Sequence, residues 1–194
     1  MRKMKTIILA SASPRRKEIL KITGLKFKVD ASDYEENLNL KLNPHKLARF
    51  LSSEKAKIVS RKYKNALIIA ADTFIVFKNK ILGKPHTEKE AKKMLNSLNN
   101  RAHSVITGFT IIDTGNKRKI SKSVETKVWF KKLSQKELDS YVKTKEPLDK
   151  AGAYAIQGIG ALLIRKIEGD YFNVIGLPLS DLTENLKKFG IYAL

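Results

Sequence analysis

Apolar residues along the chain follow two periods, and together these predict a mixed α/β protein. Apolar positions three or four residues apart predict helices, whereas short apolar runs and strict alternation predict strands. The predicted helices are Pro14–Thr23, Pro44–Lys62, Thr87–Leu98, Ser134–Thr144 and Leu179–Phe189. The predicted strands are Thr6–Ala10, Lys26–Val29, Leu67–Ala71, Ser104–Asp113, Ser121–Phe130 and Ala161–Ile167, with a hairpin around Lys78–Lys80. We therefore expect helices packed on a sheet that has a long antiparallel component.

Chain length and composition favour a single folded domain over residues 1–194. The chain has 194 residues, of which 42% are hydrophobic, enough to bury one core built as two lobes. We find no internal repeat and no low-complexity linker. The longest apolar run, Ala66–Ala71, is far too short to span a membrane. Cysteine is absent, which excludes disulfides and thiolate chemistry and fits a reducing compartment.

The net charge of +20 allows two interpretations. An affinity for polyanions is one, because basic proteins attract phosphate backbones. The other is a solvated, lysine-rich surface, which we favour because the lysines are scattered and no aromatic RNA-binding motif accompanies them. The overall charge therefore does not identify a partner, and individual cations have to be considered by position.

Two arginines occupy an unfavourable place at the start of the first predicted helix. Ser13 and Pro14 are favoured at the N-cap and at the first helical position. Arg15 and Arg16 then fall in the first turn, where the helix dipole disfavours each cation by up to about 1 kcal/mol. A phosphate bound at the helix N-terminus would reverse that penalty. Two solvated arginines are the alternative, and local sequence does not decide between them.

Two further segments carry polar residues next to predicted strands. Asp72 follows the apolar strand that ends at Ala71, a placement that suits water activation or Mg²⁺ binding, although a simple turn residue is an alternative. Gln157 lies in a glycine-rich segment, where its amide can hydrogen-bond a base edge. The segment contains Gly158 and Gly160 but matches neither a dinucleotide fingerprint nor a P-loop, so an ordinary turn is again the alternative.

Several of these segments together resemble one family. The stretches "LASASPRRKEIL", "AADTFIV", "ILGKPHTEKEAKKMLNSL", "HSVITG", "EPLDKAGAYAIQG" and "EGDYFNVIGLPL" resemble the Maf family of nucleoside triphosphate pyrophosphatases, in order and over nearly the whole chain. The segment "DKAGAYAIQG" is similar to the dTTP/UTP subgroup, with Ala155 where the family commonly has glycine. The resemblance implies a two-lobed fold around a long mixed β-sheet, with an active-site cleft between the lobes.

The resemblance also implies an activity and roles for individual residues. It implies a cytoplasmic homodimer that hydrolyses dTTP or UTP to the monophosphate and pyrophosphate with Mg²⁺ or Mn²⁺. Asp72 is then the catalytic base, and Glu36, rather than its neighbour Glu35, is the metal ligand. The substrate-binding residues that it implies are Arg15, Arg16, Lys55, Thr73, Lys84 and Gln157. Among them, Arg15 is expected to contact the substrate directly and Arg16 to supply supporting charge.

A non-catalytic protein is the competing hypothesis. A basic binder of nucleic acid or nucleotides that affects septum formation would also explain the charge. Glu36 and Asp72 argue against it, because carboxylates repel phosphate unless a metal lies between them. We therefore expect an enzyme with a nucleoside triphosphate substrate, and we expect neither nucleic acid nor a membrane as its partner.

Overall fold

The computed structural model describes residues 5–38 and 40–193 and has the expected α/β architecture. Its strands are β1 (Thr6–Leu9), β2 (Phe27–Val29), β3 (Ala66–Phe77), β4 (Lys80–Leu82), β5 (Ala102–Asp113), β6 (Lys119–Phe130) and β7 (Ile164–Glu168). Its α-helices are α1 (Pro14–Lys21), α2 (Pro44–Ser60), α3 (Glu88–Leu98), α4 (Gln135–Lys143), α5 (Tyr171–Ile175) and α6 (Leu179–Lys187). Three short 3₁₀ helices cover Glu146–Asp149, Ala151–Ala153 and Gly158–Leu163.

The strands form one seven-stranded sheet in the order β2-β1-β3-β5-β6-β7, and β4 pairs with β3 outside that order. Strand β1 is parallel to both β2 and β3, whereas β4 is antiparallel to β3 and β7 is antiparallel to β6. The prediction of an α/β fold around a long mixed sheet is therefore confirmed. The hairpin between β3 and β4 turns at Lys78 and Asn79, which both have positive φ, as a tight two-residue turn requires.

The chain divides into two compact units, and the division falls inside the long strands. The first unit comprises the described residues of Met1–Asp72, Thr107–Val124 and Gly176–Leu194. Its core lies between the sheet and α2, where Ile8, Ala56, Val59 and Ile68 are fully buried. The apolar positions of α2 thus supply most of the face that packs on the sheet, although Phe50 among them is 38% exposed.

The second unit comprises Thr73–Ile106 and Glu125–Ile175 and has its own core. Helices α3 and α4 contribute Leu95, Leu98 and Leu138 to it. His103 and Tyr154 are buried there with Phe130, and the three rings meet edge to face at centroid distances of 4.8–5.3 Å. The His103 Nε2 atom lies 2.7 Å from the Tyr154 hydroxyl. His103 packs inside the unit, which suits a structural rather than a catalytic histidine.

The largest difference from the sequence prediction concerns strand β3. We predicted a strand that ends at Ala71, but β3 continues without a break to Phe77. The residues after Asp72 are Thr73, Phe74, Ile75 and Val76, which are β-branched or aromatic and favour an extended backbone. Asp72 therefore lies in the middle of a strand, with its carboxylate on a rigid element rather than in a turn.

Smaller differences occur at the ends of elements. We predicted a strand from Ala161, but Gly158–Leu163 forms a 3₁₀ helix and β7 begins only at Ile164. The capping box at Ser134 and Glu137 is present. At α3, the Thr87 side chain caps the helix by accepting from the Glu90 N–H, but the Glu90 carboxylate accepts from the His86 N–H rather than from that of Thr87, so a reciprocal capping box does not form there.

The helices were also compared with the dimensions of a lipid bilayer. None of those within residues 5–38 and 40–193 is both long enough and apolar enough to cross one.

Candidate active site

A buried ion-pair cluster in the first unit brings together residues from four segments. The Lys55 ammonium donates to a Glu36 carboxylate oxygen at 2.5 Å and to Oδ1 of Asp72. The side chain of Asp72 is only 3% exposed and that of Lys55 only 11%, whereas Glu36 remains partly open to solvent. Arg16 lies close enough to interact electrostatically with both carboxylates. We call Arg16, Glu36, Lys55 and Asp72 the charged cluster.

Helix α2 positions Lys55 because its backbone lies very close to the sheet. It begins at Pro44, and the side chain of the N-cap residue Asn43 accepts from the Lys46 N–H. Gly108 on β5 faces the helix, and a Cβ there would stand 2.1 Å from the Ala48 carbonyl oxygen. Because residue 108 has no side chain, the helix can lie close to the sheet, with Lys55 directed toward Asp72. The hydrophobic pattern of α2 predicts the buried face of the helix but does not indicate how closely the helix approaches the sheet.

Burial and charge act in opposite directions on the two carboxyl groups. Burial of Asp72 raises its pKa above the ordinary value, and the nearby Glu36 charge adds to that effect, while Lys55 opposes it. Burial also disfavours the charged form of Glu36, but the charge and hydrogen bond of Lys55 outweigh it and lower the pKa of Glu36. Glu36 is therefore a stable anion, whereas Asp72 is a carboxylate with an increased affinity for a proton.

The two arginines of α1 have different surroundings. The Arg16 guanidinium donates from Nε to the Gly176 carbonyl at 2.9 Å and from Nη1 to Ser11 Oγ at 3.2 Å. The Ser13 side chain caps the helix by accepting from the Arg16 N–H, as predicted. Arg16 is thus fixed against the protein, which agrees with a supporting charge. The direct contact between Arg15 and substrate stays a prediction.

The carboxylates of the charged cluster are suited to part of a divalent metal site. Oδ2 of Asp72 is buried and has no hydrogen-bond partner among the described residues, although a buried carboxylate oxygen is costly to leave unpaired. No group of three or more His, Asp or Glu side chains in those residues could hold a metal by itself. One or two carboxylates completed by substrate phosphates is a usual arrangement for Mg²⁺, so Glu36 and Asp72 fit a metal that arrives with its substrate.

The other predicted site residues belong to the second unit. Thr73 follows Asp72 on β3 and is half-buried, Lys84 is exposed after β4, and Gln157 is exposed before the last 3₁₀ helix. The segment that carries Lys84 is linked to the 3₁₀ helix Ala151–Ala153, which precedes Gln157, because the Gly152 N–H donates to the Gly83 carbonyl at 2.9 Å. The structure thus joins Arg16, Glu36, Lys55 and Asp72 in one cluster and places these three residues on separate elements of the second unit.

Sequence reasoning missed two partners of the charged cluster. Ser11 accepts hydrogen bonds from Arg16 and from the Ser13 N–H, and it is buried. Its position five residues before Arg16 was a usable signal. The Gly176 carbonyl is 160 residues away in sequence. No pattern in the sequence indicates that contact, because a backbone carbonyl has no residue-specific signature.

Comparison with known proteins gives a consistent result along the whole chain. The family described as Maf-like protein matches residues 6–189. A dTTP/UTP pyrophosphatase of Methanosarcina barkeri (strain Fusaro / DSM 804) is 48% identical over 189 residues, which is 97% of this chain and 96% of the relative. One of Thermoanaerobacter sp. (strain X514) is 50% identical over 183 residues, 94% and 95% of the two chains. One of Geobacillus sp. (strain WCH70) is 45% identical over 188 residues, 96% and 100%.

Proposed function

The chain belongs to the Maf-like protein family, and we propose that it is a nucleoside triphosphate pyrophosphatase that hydrolyses dTTP and UTP to the monophosphate and pyrophosphate. Relatives named dTTP/UTP pyrophosphatase, at 45–50% identity over nearly the full chain, support this substrate class. The observation that carries the proposal is the charged cluster. It holds a buried carboxylate of raised pKa beside two cations. A base for the water and positive charge for the phosphate oxygens are what hydrolysis of a phosphoanhydride bond requires.

Cations in this proposal neutralise the triphosphate. Arg15 and Arg16 lie in the first turn of α1, at the positive end of the helix dipole, which also favours an anion. Lys55 is held between two carboxylates and can turn one of its donors to a phosphate oxygen. Lys84 is the fourth cation of this proposal. Positioning and charge stabilisation supply most of the catalytic effect in phosphoryl transfer.

Asp72 acts as the general base. It accepts a proton from a water molecule while the water oxygen forms a bond to the α-phosphorus. The bond between the α-phosphorus and the oxygen that bridges to the β-phosphorus then breaks, and pyrophosphate leaves with that electron pair. The rigid strand β3 keeps the carboxylate in place, and its raised pKa brings it closer to the working pH of a base.

Glu36, with Asp72, would hold the divalent metal. Bound Mg²⁺ or Mn²⁺ would neutralise charge on phosphate oxygens and polarise the α-phosphorus. Thr73 and Gln157 select the base, since a hydroxyl and an amide can each pair with polar atoms on a pyrimidine edge. The same family relationship supports a single catalytic domain, a homodimer and a cytoplasmic location as further parts of the proposal.

Pyrophosphate release from a panel of nucleotides tests the function. The protein is incubated with dTTP, UTP, CTP, dGTP and ATP, with Mg²⁺, with Mn²⁺ or with excess EDTA. We expect pyrophosphate and the monophosphate in equal amounts, fastest from dTTP and UTP, and no release in EDTA. Chromatography separates these products from orthophosphate and the diphosphate, whose appearance would contradict attack at the α-phosphorus.

The same panel also tests the competing hypothesis of a non-catalytic binder. Release from no nucleotide with either metal, together with DNA binding that weakens steeply with salt, would favour the binder. Light scattering of the same preparation measures the oligomeric state, and a monomeric mass would overturn the proposed homodimer.

A further inference from the structure

A single carboxylate anchors the backbone of the glycine-rich loop, which we define as residues 155–160. Oε1 of Glu146 accepts from the Gly160 N–H at 2.9 Å, and Oε2 accepts from the Ile159 N–H at 3.2 Å. The Tyr141 hydroxyl donates to the same Oε1 at 3.0 Å. Glu146 is only partly buried, yet it spends its hydrogen bonds on this loop and on Tyr141. No catalytic or binding role has been given to it above.

Tyr141 extends the anchor to the other end of the loop. Its hydroxyl accepts from the Ala155 N–H at 3.3 Å, so backbone N–H groups on both sides of Gln157 connect to the Tyr141–Glu146 pair. Tyr141 is 3% exposed, and its burial raises the pKa of the phenol above the ordinary value. The phenol therefore keeps its proton and remains a donor to Glu146.

The glycines of the loop fit this anchor. Gly158 has φ of +69°, and a Cβ there would stand 2.8 Å from Oε2 of Glu146. A Cβ on Gly160 would stand 2.3 Å from the Ala155 carbonyl oxygen and 2.6 Å from the Tyr141 hydroxyl. The loop therefore needs glycine at residues 158 and 160 in order to close on Tyr141 and Glu146. This spacing serves backbone packing rather than contact with a phosphate.

We propose that Glu146 is a positioning residue for base selection, because its carboxylate, together with the Tyr141 hydroxyl that donates to it, fixes the backbone on both sides of Gln157 and so fixes where the Gln157 amide points. The inference rests on the proposed function and on the role given there to Gln157. It extends them by naming the group that makes the amide selective. Glu146 itself does not touch the substrate.

The physical reason is that an amide discriminates between bases only when its orientation is fixed. A Gln side chain offers a donor and an acceptor, and on a mobile loop it can turn to suit either polarity of a base edge. A fixed amide leaves its own groups unpaired against the wrong base, which is what penalises that base. Losing the anchor should therefore lower kcat/KM for the preferred substrate and leave kcat/KM for poor substrates nearly unchanged.

Glu146→Ala, with Glu137→Ala as the matched control, tests the inference. Glu137 also accepts hydrogen bonds from a backbone N–H and a hydroxyl in the same unit, but at the capping box of α4, away from the loop. For Glu146→Ala we expect kcat/KM for dTTP to fall about tenfold, mostly through KM, and that for dGTP to change less than about twofold. Glu137→Ala should keep the wild-type ratio.

Two further measurements separate positioning from simple loss of stability. Amide hydrogen exchange of residues 155–163 should accelerate in Glu146→Ala and stay unchanged in Glu137→Ala, at equal Tm. Glu146→Gln, which keeps one acceptor oxygen, should restore part of the dTTP preference. Where Glu146→Ala fails to fold, Tyr141→Phe removes only the hydroxyl and should lower the dTTP to dGTP ratio by a smaller factor.

The outcomes that overturn this inference differ from those that overturn the function. If Glu146→Ala and Tyr141→Phe both keep the wild-type dTTP to dGTP ratio, Glu146 does not position the loop, although the enzyme assignment stands. An equal loss for every nucleotide would also contradict the inference, because it would show a general structural role. If the wild-type protein releases pyrophosphate from no nucleotide, the proposed function itself fails.

Discussion

The charged cluster of the first unit and the anchored loop of the second unit solve the problem of a fixed polar site in opposite ways. In the charged cluster, formal charges on side chains from different elements hold one another, with Lys55 between Glu36 and Asp72. In the loop, one carboxylate holds backbone N–H groups, and a buried phenol completes the contacts. Under the proposed roles, phosphate chemistry relies on charged side chains, whereas base selection relies on a fixed backbone.

The comparison predicts different responses to substitution. Lys55 and Asp72 are buried and are assigned to the phosphate chemistry, so changing either should alter catalysis for every nucleotide alike. The glycine-rich loop is held by hydrogen bonds to its backbone N–H groups, so removing an acceptor should alter selectivity or stability with little effect on the chemical step.

Asp72→Asn should have the largest effect. It keeps the shape and an oxygen for Lys55 but removes the base, so we expect kcat to fall about a thousandfold for all nucleotides with the dTTP to UTP ratio unchanged. Steady-state kinetics measures both values, and circular dichroism checks the fold. Turnover near the wild-type rate would exclude Asp72 as the base. An altered dTTP to UTP ratio would show that the charged cluster also takes part in base selection.

Lys55→Met should affect both stability and pH dependence. It leaves Asp72 as an unpaired buried carboxylate, which we expect to cost about 3 kcal/mol in urea unfolding. The pKa of Asp72 should rise further, so activity, which needs the ionised carboxylate, should be lost at a higher pH as the solution is acidified. Lys62→Ala is the control, because it breaks an exposed Lys–Asp pair with Asp30 and should leave unfolding unchanged. An unshifted acid limb would contradict the coupling.

Arg15→Ala should weaken substrate binding more than turnover. We expect KM for dTTP to rise about tenfold with a smaller change in kcat, and the KM for UTP to rise equally, because the lost contact is with phosphate. Lys17→Ala removes the same charge from an exposed position on α1 and serves as the control. If Lys17→Ala has the same effect, general electrostatic attraction rather than a specific contact is responsible.

His103 should have no effect on catalysis and should affect only stability in acid. Burial lowers its pKa from 6.5 to about 4, so between these values the unfolded chain binds more protons than the folded one. Stability should therefore fall as the pH decreases from about 6.5 to about 4, by up to about 3 kcal/mol. Urea unfolding of the wild type and of His103→Gln at pH 7 and pH 4.5 measures this. An equal loss in both proteins would remove His103 as the cause.

Much of the local structure could be predicted from sequence because it depends on neighbours in the chain. Ser13 caps its helix as predicted, and Thr87 and Ser134 do the same in α3 and α4. In each case the side-chain oxygen accepts from the backbone N–H three residues later. Strand β3 was harder. A carboxylate after an apolar run looks like a strand end, and only the pairing with Lys55 explains how Asp72 is tolerated in the middle of a buried strand.

The candidate site was predictable in composition but not in arrangement. The resemblance named Glu36, Lys55 and Asp72, yet nothing in the sequence placed Lys55 between the two carboxylates. The sequence shows the glycines at residues 158 and 160 but not why they are needed. Besides the Ala155 carbonyl, the atoms that approach them belong to Tyr141 and Glu146, more than ten residues earlier in the chain.

By itself, the sequence predicted the α/β class and the helix starts, which follow from side-chain chemistry and from contacts within a few residues. Its resemblance to a known family supplied the candidate catalytic and binding residues. Only the tertiary structure decided that Arg16 is held by the Gly176 carbonyl, that Lys55 bridges two acids and that Glu146 anchors a loop. These contacts depend on which segments, remote in the chain, are brought together by folding. Burial then shifts the pKa of the charged groups that meet there.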